Sequence, residues 1–505
     1  MLRLTWVQPE DLLGHELRQA VQDGREPSAV AARWRAAGGP EAPARAGASP
    51  QPVSRYLRLL AEDLLDELAE LPSALAEAEP TDLAAIKALC PDWPAPAPAA
   101  RDRAATAPDR RTATAGAAPD RPTPDGNAAP DHAADVDAAR RTTTADAAPD
   151  RAGGVDVVRL EAAWLGRAAG CLLGKPVEKL PLEGIRRLAQ ATGNWPLTTW
   201  FTARGVPEDL AARHPWNRRS AATSLAENID GMPEDDDLNH PLLTLLLLQR
   251  HGRAFTTADL ARLWLEELPA GRTFTAERVA YRNLLLGIDP PHTARHRNPF
   301  REWTGALIRA DMHGWTNPGD PGAAAEQAHR DAVLTHTANG VYAAMFAAAL
   351  VAAAATGTDD VHTCLATALT VVPPGSRLAR AVRHAIRLAR SHEDFDAVVD
   401  ALHATHAATY HWVHAIPNTA LIAGALTHAD GDFTGSICRA VSGGWDTDST
   451  GATAGSVAAL LAGSPAALPE RWTAPLKNRL ATSVGDFDGI GFDALAHLTH
   501  LEACR

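Results

Sequence analysis

The sequence has few cysteines, and they are poorly placed for bridging. Cys90, Cys171, Cys364, Cys438 and Cys504 are five in number, far apart, and form no Cys-x-x-Cys pair. A disulfide framework or a zinc-thiolate site is therefore not expected, and a reducing cytoplasm fits best. Basic charge is in deficit as well: Lys and Arg number 48 against 61 Asp and Glu, for a net charge of −13. That balance disfavours general binding to nucleic acid or to anionic membranes. No apolar run reaches the roughly 20 residues a bilayer requires; the longest, 340–355, is mostly alanine. The opening residues, MLRLTWVQPEDLLGHEL, lack the basic, apolar and small-residue regions of a secretory signal, so none is expected. A P-loop, a GxGxxG following a strand, and a GxSxG elbow are all missing. Nucleoside triphosphate hydrolysis, dinucleotide redox chemistry and serine hydrolysis lose support accordingly.

Alternating runs of Val, Ile, Thr and aromatics are also wanting, which points away from strands and towards an all-α chain. Composition divides it into three. Residues 1–90 read as a small helical segment: Leu57, Leu60, Leu64, Leu68 and Leu71 recur at threes and fours, and two shorter helical stretches precede them. Residues 91–154 are built from Ala, Pro, Asp, Arg and Thr with almost no large apolar side chains, the composition of a disordered linker. Residues 155–505 are dense in Leu and Ala, with helical runs expected at 160–173, 242–250, 257–267, 330–355, 376–390, 395–410 and 419–428. No second linker interrupts them, so they are expected to form one domain that folds without the first 90 residues.

Two acidic clusters lie far apart in this domain. The first, Glu234-Asp235-Asp236-Asp237, precedes the apolar run LLTLLLL. Carboxylates at a helix start complement its dipole and cap its free N–H groups, which accounts for one or two acids. Four in a row repel one another, and a counter-cation is the economical explanation. Pro241 lacks an N–H and fits a first turn, so the regular helix is expected to begin near Leu238 or later. The second cluster, Trp445-Asp446-Thr447-Asp448-Ser449, follows Gly443-Gly444 and opens a helix of very small residues. An oxygen-only ligand set suits Mg²⁺, Mn²⁺ or Ca²⁺ rather than zinc, although a capped turn before a buried helix accounts for the same pattern. Two such turns facing across a cleft would hold a dinuclear site with ions about 3.5–4 Å apart.

With the segment Gly166-Arg-Ala-Ala-Gly-Cys-Leu-Leu-Gly-Lys-Pro-Val-Glu178, these clusters form an ordered set of three motifs. In that order they resemble the ADP-ribosylglycohydrolases, the family that includes the dinitrogenase reductase-activating glycohydrolase. The likeness runs from about residue 160 to about residue 492. It implies an all-α orthogonal bundle with two Mg²⁺ ions, or Mn²⁺ in their place, between the acidic motifs. Carried over by position, it makes Glu234, Asp235 and Asp236 metal ligands from the first acidic motif, and Asp446, Asp448 and Ser449 ligands from the second. Glu178 matches the acid/base glutamate, and His414 and Asn418 fall in a segment implied to contact substrate. The implied activity is glycosidic hydrolysis that removes ADP-ribose, or a related ribosyl group, from a protein or a small-molecule acceptor. Chemistry agrees, since an oxocarbenium-like state asks for a carboxylate near the sugar and a positioned water. The chain departs from the family at Glu234 (usually a hydroxyl residue), Asp237 (usually threonine) and Cys171 (often aspartate). A two-metal phosphohydrolase and a catalytically silent ADP-ribose-binding or structural member stand as the alternatives.

Other features read as structural. His403, His406, His411 and His414 are spaced 3, 5 and 3 apart, which does not keep them on one helical face for zinc. The loop 315–321 reads as turn chemistry ahead of a helix carrying Asp331 and His336, and the Arg-rich stretch 293–301 as a solvated loop or a phosphate contact.

Overall fold

The computed structural model describes residues 4–42, 49, 51–95 and 155–505. From residue 96 on, the linker expectation lies outside the described residues. Seven helices bear on the site: α1 (Pro9–Gln22), α2 (Arg55–Glu70), α3 (Val157–Gly174), α4 (Asp236–His251), α5 (Ala338–Ala355), α6 (Ala415–His428) and α7 (Thr447–Ala462). The chain is all-α: among the described residues there are isolated β-bridges, such as Trp303 with His414, and no strand.

Helix α5 runs through the centre, buried from Asn339 to Ala355. By length and composition it is apolar enough to cross a membrane, but 94% of that window is buried inside the protein, so packing accounts for its apolarity. The single helix expected over 330–355 is in fact two, Pro321–Ala332 and α5. They part because Thr337 is extended and its N–H donates to the Arg301 carbonyl at 2.9 Å. Glu302 Oε1 then accepts from the Asn339 N–H at 3.1 Å, serving the new helix start as a distant cap.

Helix α4 also differs from expectation. It starts at Asp236, with Pro241 inside it. The carbonyl that a residue-241 N–H would have used belongs to Asp237, and Arg167 Nε donates to it instead at 2.8 Å. A buried guanidinium thus stands in for the missing backbone donor, which is how proline is tolerated there.

Helices α3 and α7 lie against each other along their glycines. A methyl group on Gly170 would come within 1.9 Å of the Gly451 carbonyl oxygen, and one on Gly166 within 2.4 Å of Gly455 O. Absent side chains therefore let two backbones touch, and this contact brings the end of α3 to the start of α7.

The N-terminal segment packs onto this body. Leu12 and Leu13 of α1, with Leu64, Leu65 and Leu68 of α2, form a cluster with Ala276, Val279, Phe300 and Trp303. Ile86 and Cys90 join the main core. The Arg-rich stretch faces the same segment: Arg301 pairs with Glu16 at 2.6 and 2.9 Å, and Arg297 with Asp66 at 2.7 and 2.8 Å. Arg297 and Arg301 are thus docking contacts for the N-terminal segment.

Candidate metal and substrate site

Helix α3 ends at Gly174, and the next turn carries Lys175 and Glu178. Glu178 is held at both oxygens, by Lys179 Nζ on Oε1 at 2.7 Å and by Asn217 Nδ2 on Oε2 at 2.7 Å. Lys179 adopts φ +71°, a conformation uncommon for a side-chain-bearing residue and enriched at functional turns.

Asp235 caps α4, its Oδ1 accepting from the Asp237 N–H at 2.9 Å. Its other oxygen meets the ammonium of Lys175, which also reaches the Glu234 carbonyl at 3.2 Å. Asp237 turns inward to Arg167 at 3.5 Å and accepts from the Ser449 hydroxyl at 3.3 Å. Glu234 points outward, paired with Arg272 at 2.8 Å. Asp236 faces the cavity described below.

The second acidic turn is set by Gly444 at φ +77° and Trp445 at φ +61°. His403 stacks on the Trp445 ring at 4.1 Å, fixing it from behind. Asp446 Oδ2 accepts from the Thr304 hydroxyl at 2.7 Å, and the Asp446 N–H donates to Asn418 Oδ1 at 3.2 Å. Thr447 Oγ1 donates to the Gly174 carbonyl at 2.8 Å, stitching the start of α7 to the end of α3.

Glu178, Asp446 and Asp448 consequently present carboxylate oxygens within 4.8 Å of one another, as do Cys171, Asp235 and Asp237 with one ligand atom each. Burial, followed by the nearby Glu178 carboxylate, pushes Asp446 up to about 6. Burial, Glu178 and Asp446 raise Asp448 well above the carboxylate range. Burial and Asp235 do the same to Asp236. Asp235 is the exception, because Lys175 outweighs the opposing effect of burial and holds it low. Burial and the Asp235 charge keep the Cys171 thiol protonated. Among the described residues no salt bridge reaches Asp236, Asp446 or Asp448, whereas Asp235 and Asp237 pair with Lys175 and Arg167. The residues present fit an oxygen-preferring divalent cation on the Glu178–Asp446–Asp448 side, where Asp236 also lines the cavity.

These groups line a cavity of about 380 Å³ together with Thr304, Ser449, the cations Lys179, Arg219 and Arg272, and the rings of Trp6, Phe274 and Trp412. Glu178, Glu234, Asp235, Asp236, Asp446, Asp448 and Ser449 are all brought to its wall. His414 and Asn418 are not. His414 is buried at the start of α6, its Nδ1 accepting from the Ile416 N–H at 3.2 Å, and burial holds it neutral. Asn418 grips the Trp412 and His414 carbonyls at 2.8 and 2.9 Å and supports Asp446 from behind. Asp331 and His336 lie deeper, Asp331 with Arg309 and His313, and His336 against the Thr335 hydroxyl. Thr304, Asn217, Lys179 and Trp6 escaped sequence reasoning because none belongs to a recognisable motif. The glycine spacing of the opening segment, with the two acidic turns it brings together, decides the relationship. The profile of the ADP-ribosylglycohydrolases matches residues 156–502.

The chain belongs to the ADP-ribosylglycohydrolase family. Membership supports a glycohydrolase type of function. A solved structure described as an ADP-ribosylglycohydrolase-related protein complex is similar at 22% identity, covering 69% of this chain and 98% of that one with a TM-score of 0.43. No curated protein matches the chain. The family match begins at residue 156, so the N-terminal segment lies outside it.

Proposed function

We propose that the protein is a divalent-metal-dependent hydrolase that removes ADP-ribose, or a related ribosyl group, from a protein or small-molecule acceptor. The observation that carries this reading is the convergence of Glu178, Asp446 and Asp448 on one cavity wall. Asp236, Asp446 and Asp448 would hold Mg²⁺ or Mn²⁺, which when bound neutralises their charge and grips ribose hydroxyls. Thr304 and Asn418 hold Asp446 in orientation. Glu178, fixed by Lys179 and Asn217, would move a proton at the anomeric centre. Lys179, Arg219 and Arg272 give an otherwise acidic protein local charge for phosphates. The unpaired thiols of all five cysteines support a reducing, cytoplasmic location.

The test is a calorimetric titration of Mg²⁺ and then ADP-ribose into the wild type and into Asp446→Ala/Asp448→Ala. Metal-dependent ADP-ribose binding that the double variant loses is the expected result. No metal binding in the wild type sinks the reading and leaves a silent member. Turnover products separate the remaining rival, because intact ADP-ribose marks a glycosidase, whereas phosphate or AMP marks a phosphohydrolase.

A further inference from the structure

We propose that the N-terminal segment supplies part of the substrate site: Trp6, with Trp412 and Phe274, forms an aromatic subsite for the planar base of the nucleotide. The inference rests on the ribosyl-hydrolase reading and extends it to a residue outside the family match.

Trp6 is 9% exposed yet stands in the wall of the cavity that holds the carboxylates. Its position is built rather than incidental. Behind it lie the edges of Phe300 at 5.4 Å and Trp303 at 6.0 Å, and His15 of α1 at 6.3 Å. Arg278 holds the preceding residue, donating to Thr5 Oγ1 at 2.7 Å and to the Thr5 carbonyl at 3.3 Å. Trp6 also adopts φ +67°, unfavourable for a bulky side chain and kept only where surrounding contacts insist on it. The segment itself is clamped by the Glu16–Arg301 pair and by Gln19, whose amide donates to Glu302 at 2.7 Å.

The cavity thus contains three chemistries: carboxylates for a metal-held diol, cations for phosphates, and aromatic faces. Lys179 lies 5.6 Å from the Trp412 ring, placing a phosphate-attracting charge beside an aromatic surface. A ligand with ribose, phosphates and a purine satisfies all three, and aromatic rings take a base by its π face without reading its edges.

The experiment measures ADP-ribose and ribose 5-phosphate binding to the full chain with Mg²⁺, for the wild type, Trp6→Ala, Trp6→Phe and Phe274→Ala. Trp6→Ala is expected to weaken ADP-ribose roughly tenfold or more, with ribose 5-phosphate unchanged and Trp6→Phe recovering most of the loss. Equal weakening of both ligands, or no change in either, overturns the subsite. Should Trp6→Ala fail to fold, Phe274→Ala carries the test, since Phe274 sits in the cavity wall rather than in the buried cluster; the same selective loss is expected of it, and its absence overturns the proposal. Wild-type binding of ribose 5-phosphate without ADP-ribose removes the subsite alone. Binding of neither ligand removes the ribosyl reading and the subsite with it.

Discussion

The ammonium of Lys175 lies directly against the carboxylate of Asp235, inside the acidic cluster rather than at its rim. Both side chains are 7% exposed, and burial opposes the charge that Asp235 then restores and holds above the usual lysine range. A protein-supplied cation therefore already neutralises Asp235 and competes, through its charge, with a metal ion at the neighbouring carboxylates. Lys175→Ala should tighten Mn²⁺ or Mg²⁺ binding about tenfold, equivalent to about 1.4 kcal/mol. Calorimetry at neutral pH checks this, and an unchanged or weaker affinity would refute the competition.

Cation binding should also depend on pH. Asp446 titrates at about 6 in the folded protein, above its unfolded value, and Asp448 and Asp236 are raised as well. The folded metal-free chain therefore holds more protons than the unfolded one through this window. For Asp446 the stabilising contribution is complete below pH ~4 and is lost as pH rises through about 6. A divalent cation replaces those protons, so the rise in Tm on adding Mg²⁺ should be larger at pH 7.5 than at pH 5. Thermal melts at the two pH values, with and without Mg²⁺, decide the point.

Gly170→Ala should separate α3 from α7, because the new methyl would lie 1.9 Å from the Gly451 carbonyl oxygen. We expect a loss of about 1–3 kcal/mol in stability, with weaker cation binding, since Lys175 and Glu178 follow one helix and Asp446 opens the other. Gly375→Ala is the control, as a methyl there meets nothing within 4 Å. Chemical denaturation of both variants would show whether the penalty is specific to the helix contact.

Glu16→Ala should destabilise the chain by about 3 kcal/mol, because it strips a bidentate partner from the buried Arg301. A chain beginning at Val155 should fare worse, since Phe300, Trp303, Ala276 and Val279 lose their cover. The composition break at the linker suggested a self-sufficient domain, but these contacts argue for a shared core. Sedimentation and ANS binding of the truncated chain would settle it, with a soluble, cooperatively folding fragment counting against the prediction.

How much could be read from the sequence follows from how local each signal is. Most of the expected helices were legible from their apolar period, and the very small residues noted in α7 are those that let it lie against α3. The split at Thr337 and the run of α4 through Pro241 were not legible, because each depends on a partner far along the chain, Glu302 in one case and Arg167 in the other. The acidic motifs announced themselves, being consecutive and chemically costly. Thr304 and Asn217 did not, since a single hydroxyl or amide becomes meaningful only beside the carboxylate it holds. His414 and Asn418 show the converse: a segment can resemble a substrate-contacting one while its side chains work as struts.

Glu302 joins distant parts of the molecule. Its carboxylate receives Gln19 from α1, Asn339 from α5 and Arg377, while its carbonyl accepts from Ala415 at 2.9 Å, two residues ahead of Thr304 on Asp446. We therefore expect seating of the N-terminal segment to be coupled to order at Asp446. Linkage is reciprocal: by whatever factor the seated segment raises affinity at the carboxylates, a ligand bound there must raise the segment's own hold on the protein. Protection of α1 from hydrogen exchange would then report occupancy of a cavity that, apart from Trp6, this segment does not line.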